Sequence, residues 1–356
     1  MNKIIHDVAM RSSPKDAMAL WSVAPQHVDI PETLAILGTQ ATEEFLYENR
    51  SAFTSLALFI TSETPSHMPH ILPFCVGERL TTLDIRSTGV LDCHPLRFLP
   101  NLETLYVNAM HVKRFDTLPP KLRDLRICIS SRLHLDVSGA PELETLHVTA
   151  DRSYIHNLPP TLKTFRVRGN TCDIPHSLPE ALEHVEVSGA IMDAFPNLPP
   201  GLKTLNISNT HMEPGQLDLR DHALDRLVAY GTCIENEDVL QYRAKTLDIR
   251  WTSITPDVRF HRDVETVYMD MVPTKESLSM SRDHILTIHI GKSPEPLSPA
   301  CTVAVNNRLD HEDRQSPFEH KACYVKRYDT YRVVCKIWTP AMTIHDIDRL
   351  IDLASD

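Results

Sequence analysis

Arg126, His147 and Arg166 are separated by 21 and 19 residues, and Arg168 follows two positions later. Guanidinium forks of this kind bind carboxylates and phosphates bidentately. In a chain of formal net charge −11 a basic cluster is the least expected charge arrangement, and it suits an acidic or phosphorylated partner segment. Tyr106, Tyr230, Arg250 and Tyr268 fall on the same spacing, and tyrosine is enriched at interfaces. These side chains meet only if the backbone returns to the same place about every 20 residues, as repeat arrays do.

Signals for enzyme chemistry are weaker. His311, Glu312 and Asp313 sit together, but the segment lacks the second His of a zincin helix. Cys301, Cys323 and Cys335 near His311 and His320 resemble a thiol and base only in composition, and buried strand cysteines explain them more simply. Neither a phosphate loop nor a dinucleotide fingerprint is present, so no cofactor and no metal are expected. The eight cysteines lack CxxC spacing and fit free thiols in a reducing compartment. Acidity argues against nucleic acid as a partner. No apolar run approaches the ~18 residues of a membrane span, and residues 1–20 lack the uninterrupted apolar core of a secretory signal.

The elements that must position the basic row are legible between Leu162 and Met212. There Leu162, Phe165 and Val167 are echoed by Leu182, Val185 and Val187, then by Leu202, Leu205 and Ile207. The period extends to eleven openings: Leu80, Leu102, Leu122, Leu143, Leu162, Leu182, Leu202, Leu224, Ala244, Val264 and Ile285. The template L-x-T-L-x-I alternates with period two, so Leu83, Ile85 and their equivalents face inward on a short strand. The outward column then reads Asp84, Tyr106, Arg126, His147, Arg166, Glu186, Asn206, Val228, Asp248, Tyr268 and His289. Parallel strands ~4.8 Å apart bring Arg126, His147, Arg166 and Arg168 into one patch on the order of 10–15 Å long. Leu-Pro-Pro at 118–120, 158–160 and 198–200 predicts extended or polyproline-like segments between strands.

Four regions follow. Residues 1–13 read as a disordered leader, and 14–79 as a helical N-terminal cap with starts at Ser13-Pro14, Pro31 and about Thr42. The repeats occupy 80–296. In 297–356, CTVAV, ACYVKR and YRVVCKIW predict strands, the last two a hairpin, and a helix led by Thr343 and Asp346 closes the chain.

The ~20-residue unit with LPPxLxxLxV, plainest in LPPTLKTFRVRGN (158–170) and LPPGLKTLNISN (198–209), resembles the LPX-type leucine-rich repeats of bacterial type III secreted effectors. The IpaH ubiquitin ligases and the YopM-like proteins belong to that class, which also carries a Trp-containing helical pair ahead of the repeats, similar in position to Ala17–Leu37. The resemblance implies an α/β solenoid, a leucine-rich-repeat horseshoe with a parallel concave sheet, an N-terminal helical cap and a C-terminal hairpin-plus-helix cap. It further implies delivery by type III secretion into the host cell cytoplasm or nucleus. There the concave face would capture a host protein as adaptor, scaffold or decoy. Arg126, His147, Arg166, Arg168, Tyr106, Tyr230, Arg250 and Tyr268 would form that face. Two departures stand out. The bridging Asn of the family is found only at Asn170, with Thr210, Thr232 and Thr252 among the replacements. The Cys-x-Asp motif of the IpaH ligases is missing, so ligase activity does not carry over. An E3 ligase or other transferase with an atypical site in 297–356 is the alternative.

Overall fold

The computed structural model describes residues 33–37, 54–60, 79–115, 117–192, 194–212, 216–269, 286–290, 301–306, 323–327 and 332–337. The chain divides into two compact units, Met1–Leu182 and Glu183–Asp356.

The first unit contains β1 (Thr33–Leu37), β2 (Ser55–Ile60), β3 (Thr82–Asp92), β4 (Thr104–Lys113), β5 (Asp124–Ile129), β6 (Arg132–Asp136), β7 (Thr145–Thr149), β8 (Arg152–His156), β9 (Thr164–Arg168) and β10 (Thr171–Asp173). Strands β1, β2, β3, β4, β5, β7 and β9 pair in that order, every neighbour parallel. The alternating template accounts for this. Leu83, Ile85, Leu105, Val107, Leu125, Ile127, Leu146, Val148, Phe165 and Val167 all point into the core and are buried. The opening leucines lie beneath them, also buried. At three Leu-Pro elements of this unit the proline carbonyl accepts the amide N–H of the opening leucine three residues on, Pro119 with Leu122, Pro159 with Leu162 and Pro179 with Leu182. Pro120 and Pro160 occupy the second turn position, where a fixed φ is already correct.

Two expectations are corrected here. Residues 33–37 and 55–60 were predicted to belong to helices of an N-terminal cap, and both are strands. Short apolar runs fit either period. The same offsets of three and five found in the template occur at Pro31, Leu34, Ile36 and at Phe53, Leu56, Leu58. Leu56 pairs in register with Leu83, and both Leu56 and Leu58 are buried. The core therefore continues through β2 ahead of the first full repeat. Between the main strands, moreover, the chain is not merely extended: β6, β8 and β10 form a second parallel ladder with β8 in the middle. Leu133, Leu135, Ser153, Ile155 and Cys172 of these strands are buried, which gives this unit a core enclosed on two sides.

The second unit contains β11 (His184–Ser188), β12 (Thr204–Asn206), β13 (Ala223–Val228), the short helix α1 (Asn236–Gln241), β14 (Arg243–Asp248), β15 (Thr266–Met269), β16 (Leu286–Ile290), β17 (Cys301–Asn306), β18 (Cys323–Arg327) and β19 (Arg332–Ile337). Strands β11 to β16 pair successively and in parallel. From β17 onward the pairing is antiparallel, β16 with β17, β17 with β19, and β18 with β19. A capping box between Glu235 and Asp238 starts α1.

In this unit the strands end differently. The eighth residue of four successive repeats has positive φ: Gly189 (73°), Asn209 (53°), Gly231 (68°) and Trp251 (57°). A threonine follows in three of them. Thr210 donates its hydroxyl to the Val187 carbonyl at 2.7 Å, Thr252 to that of Ile249 at 2.6 Å, and Thr232 to that of Ala229. These hydroxyls satisfy backbone carbonyls at the corner.

A charge rule runs through both units at the second position of the repeat, where Glu103, Arg123, Glu144, Lys163, Glu183, Lys203, Asp225, Lys245 and Glu265 alternate in sign. Lys163 reaches Glu144 at 2.7 Å, Lys203 reaches Glu183 at 2.6 Å and Lys245 reaches Asp225 at 2.7 Å. Each exposed pair is worth little, but alternation ensures that a one-turn register slip would set like charges side by side.

Both units are parallel-strand β-solenoids with little helix. Residues 1–13, the helix start at Ser13-Pro14, the segment 311–313, His320 and the expected C-terminal helix lie outside the described residues. Cys301, Cys323 and Cys335 fall in β17, β18 and β19.

Candidate functional site on the outward face

Five of the eight candidate residues come together on the outward face of the first unit. Tyr106, Arg126, His147 and Arg166 are successive register partners across β4, β5, β7 and β9, and Arg168 lies one pleat further along β9. The parity of the template is the reason, since their chain neighbours Leu105, Val107, Leu125 and Ile127 fill the core. Arg166 and Arg168 are exposed, while Tyr106, Arg126 and His147 are half-buried.

An open hollow of about 360 Å³ lies over the β3–β7 end of this row, lined by Asp84, Arg86, Tyr106, Asn108, Arg126 and His147 among others but by neither Arg166 nor Arg168. Its arginines are held by a device not read from the sequence. Arg126 donates Nε to Asp124 Oδ1 at 3.1 Å and Nη2 to Oδ2 at 2.8 Å. Arg86 makes the equivalent fork with Asp84, Nη2 to Oδ2 at 2.9 Å. In a strand, residues i and i+2 share a face, so Asp-[Ile/Leu]-Arg sets up an ion pair within one strand. The signal was present in the sequence as D-I-R at 84–86 and 248–250 and D-L-R at 124–126 and 218–220. The guanidinium of Arg126 also lies 4.9 Å from the Tyr106 ring centroid. The hydrogen bonds it donates to Asp124 raise its pKa above the ordinary value. Two of its five N–H groups are used in holding it, and three remain to meet a ligand.

The other three candidates lie in the second unit and are arranged differently. Arg250 was expected on the surface and is buried, with 5% of its area exposed, against an Asp248 that is 1% exposed. Its Nε and Nη2 bind the two Asp248 carboxylate oxygens at 2.9 and 2.7 Å, and its guanidinium sits 5.7 Å from the Tyr268 ring. An ion pair withdrawn from water serves the fold, so Arg250 is not part of the exposed outward surface where it was expected. Tyr230 remains partly exposed and receives a hydrogen bond from Asn209 Nδ2 at 2.7 Å. Glu186 and Ser208 in the same outward columns are buried as well.

Cys93 and Cys172 are buried free thiols, and Cys128 and Cys233 exposed ones. Burial pushes the Cys93 thiol up, out of the range of a thiolate nucleophile. Among the described residues no cluster of three His, Cys, Asp or Glu side chains could hold a metal ion, and no helix is long and apolar enough to cross a membrane.

The fold and face define a parallel β-solenoid presenting a row of arginines and a tyrosine. No protein-family model matches the chain, and no curated protein matches it.

Proposed function

We propose that the protein is a binding scaffold, and that the outward face of its first unit captures an acidic or phosphorylated segment of another protein. Arg126, Arg166 and Arg168 supply the charge, with Tyr106 and His147 beside them. The observation that carries this reading is the register itself: Tyr106, Arg126, His147 and Arg166 occupy one continuous row across four adjacent strands. A fork already immobilised by Asp124 loses little side-chain entropy when a ligand arrives. The LPXxLxxL pattern adds the narrower reading, a bacterial secreted effector acting on a host protein as adaptor, scaffold or decoy.

The test is capture from host-cell lysate with the wild-type chain and with Arg126→Glu/Arg166→Glu/Arg168→Glu, circular dichroism verifying that the variant stays folded. Selective loss of phosphatase-sensitive or acidic partners is expected. A folded variant that retains every partner would sink the proposal. Translocation of a reporter fused to residues 1–50 tests the effector reading separately.

A further inference from the structure

The corner that follows each of β11, β12, β13 and β14 demands a left-handed backbone, and three of its four occupants suit that demand. Gly189 and Gly231 have no Cβ, and Asn209 is the residue type best able to tolerate it. Trp251 is not: a bulky side chain at φ 57° is strained. Packing covers only part of it, since 53% of its surface is exposed. Its ring stands edge-on to Tyr230, with centroids 6.2 Å apart and planes at 78°.

The surroundings specify what such a pair accepts. Tyr230 accepts the Asn209 amide hydrogen bond at its hydroxyl oxygen, so its own O–H is left to donate. Gly231 makes this possible, since a Cβ there would stand 2.4 Å from Asn209 Oδ1. The preceding residue, Arg250, is neutralised by Asp248 in the buried pair, so no net charge comes from it. The site therefore offers two perpendicular ring surfaces and a hydroxyl donor. A proline-rich segment in the polyproline II conformation presents the complement, apolar pyrrolidine rings and carbonyls that no internal hydrogen bond occupies. We infer that Tyr230 and Trp251 form a docking site for a proline-rich segment of a partner protein, separate from the basic row of the first unit.

The test is fluorescence anisotropy of the full chain with a fluorescein-labelled decaproline peptide, against a Gly-Ser peptide of equal length. Saturable binding of the proline probe alone is expected. Trp251→Asn, which puts into this corner the residue the fold already uses at Asn209, should weaken it at least about tenfold. Tyr230→Phe, which keeps the ring and loses the donor, should weaken it ~threefold. The Arg126→Glu/Arg166→Glu/Arg168→Glu variant should bind the probe as wild type does, which separates this site from the first. Absence of saturable binding, equal binding of the Gly-Ser peptide, or affinity unchanged in a folded Trp251→Asn chain overturns the inference. So does failure of Trp251→Asn to fold, because Trp251 would then be a scaffold residue.

Discussion

Arg126 in the first unit and Arg250 in the second occupy adjacent outward columns of one template, and each grips an aspartate two residues earlier in the chain, Arg126 within β5 and Arg250 just past the end of β14. The first pair is half-open beside a hollow, the second almost wholly withdrawn from water. An ion pair at the surface positions a guanidinium at little energetic consequence. The same pair in the interior becomes obligatory, since either partner alone would be an uncompensated buried charge. The motif thus holds a guanidinium at the surface in one unit and locks the fold in the other. The corners differ in parallel. In the first unit the chain passes on into the second ladder of β6, β8 and β10, and in the second unit a left-handed residue and a threonine hydroxyl turn it sharply.

The largest effect that would break this contrast is in the arginines. Arg250→Ala should cost on the order of 3–5 kcal/mol of unfolding free energy by leaving Asp248 buried and unpaired, whereas Arg126→Ala should cost under ~1 kcal/mol. Urea denaturation of both variants decides it, and similar losses would mean that burial does not distinguish the pairs. Next come the corner glycines. A Cβ at Gly169 would stand 1.9 Å from the backbone carbonyl oxygen of Ala150, which cannot swing aside, so Gly169→Ala should lose on the order of 3 kcal/mol. At Gly231 the obstacle is the Asn209 side chain, which can move, and the left-handed backbone is the remaining penalty, about 1–2 kcal/mol. If Gly231→Ala proves the worse of the two, the corners have been assigned the wrong way round.

Thr210→Val sharpens the comparison on a smaller scale. It removes the hydroxyl that serves the Val187 carbonyl in the second unit and should cost about 1 kcal/mol, measured by thermal unfolding. An unchanged midpoint would show that this corner does not depend on the hydroxyl. The smallest effect concerns Asp218, the exposed member of the motif, whose carboxyl is brought down from 3.8 to about 2 by the hydrogen bond from Arg220. A depressed folded-state pKa contributes stability above pH 3.8 that is lost as pH falls toward about 2. Carboxyl NMR titration should show Arg220→Met returning Asp218 toward 3.8 with little change in acid unfolding.

Most of the main ladder was legible because the offsets of three and five repeat and because strand parity is local. The outward column written from the template matches the observed register from Asp84 through Tyr106, Arg126 and His147 to Arg166 in the first unit, and from Glu186 to His289 in the second. β1 and β2 were misread because four or five apolar residues fit a helix as well as a strand, and only the pairing of β1 with β2 and of β2 with β3 chooses between them. The second ladder was missed for a similar reason: RLHLD, RSYIH and TCD are too short to stand out until neighbouring turns align them.

Residue types alone determine the period, the inward and outward faces, the alternating charges at the second repeat position and the Asp-[Ile/Leu]-Arg pairs. All of these depend on spacing along one chain. Only the tertiary structure decided that Arg126 stays at the surface and Arg250 does not, and that a tryptophan would hold a corner made for glycine. Burial is set by what the rest of the fold brings against a side chain, and a strand's own residues carry no record of it.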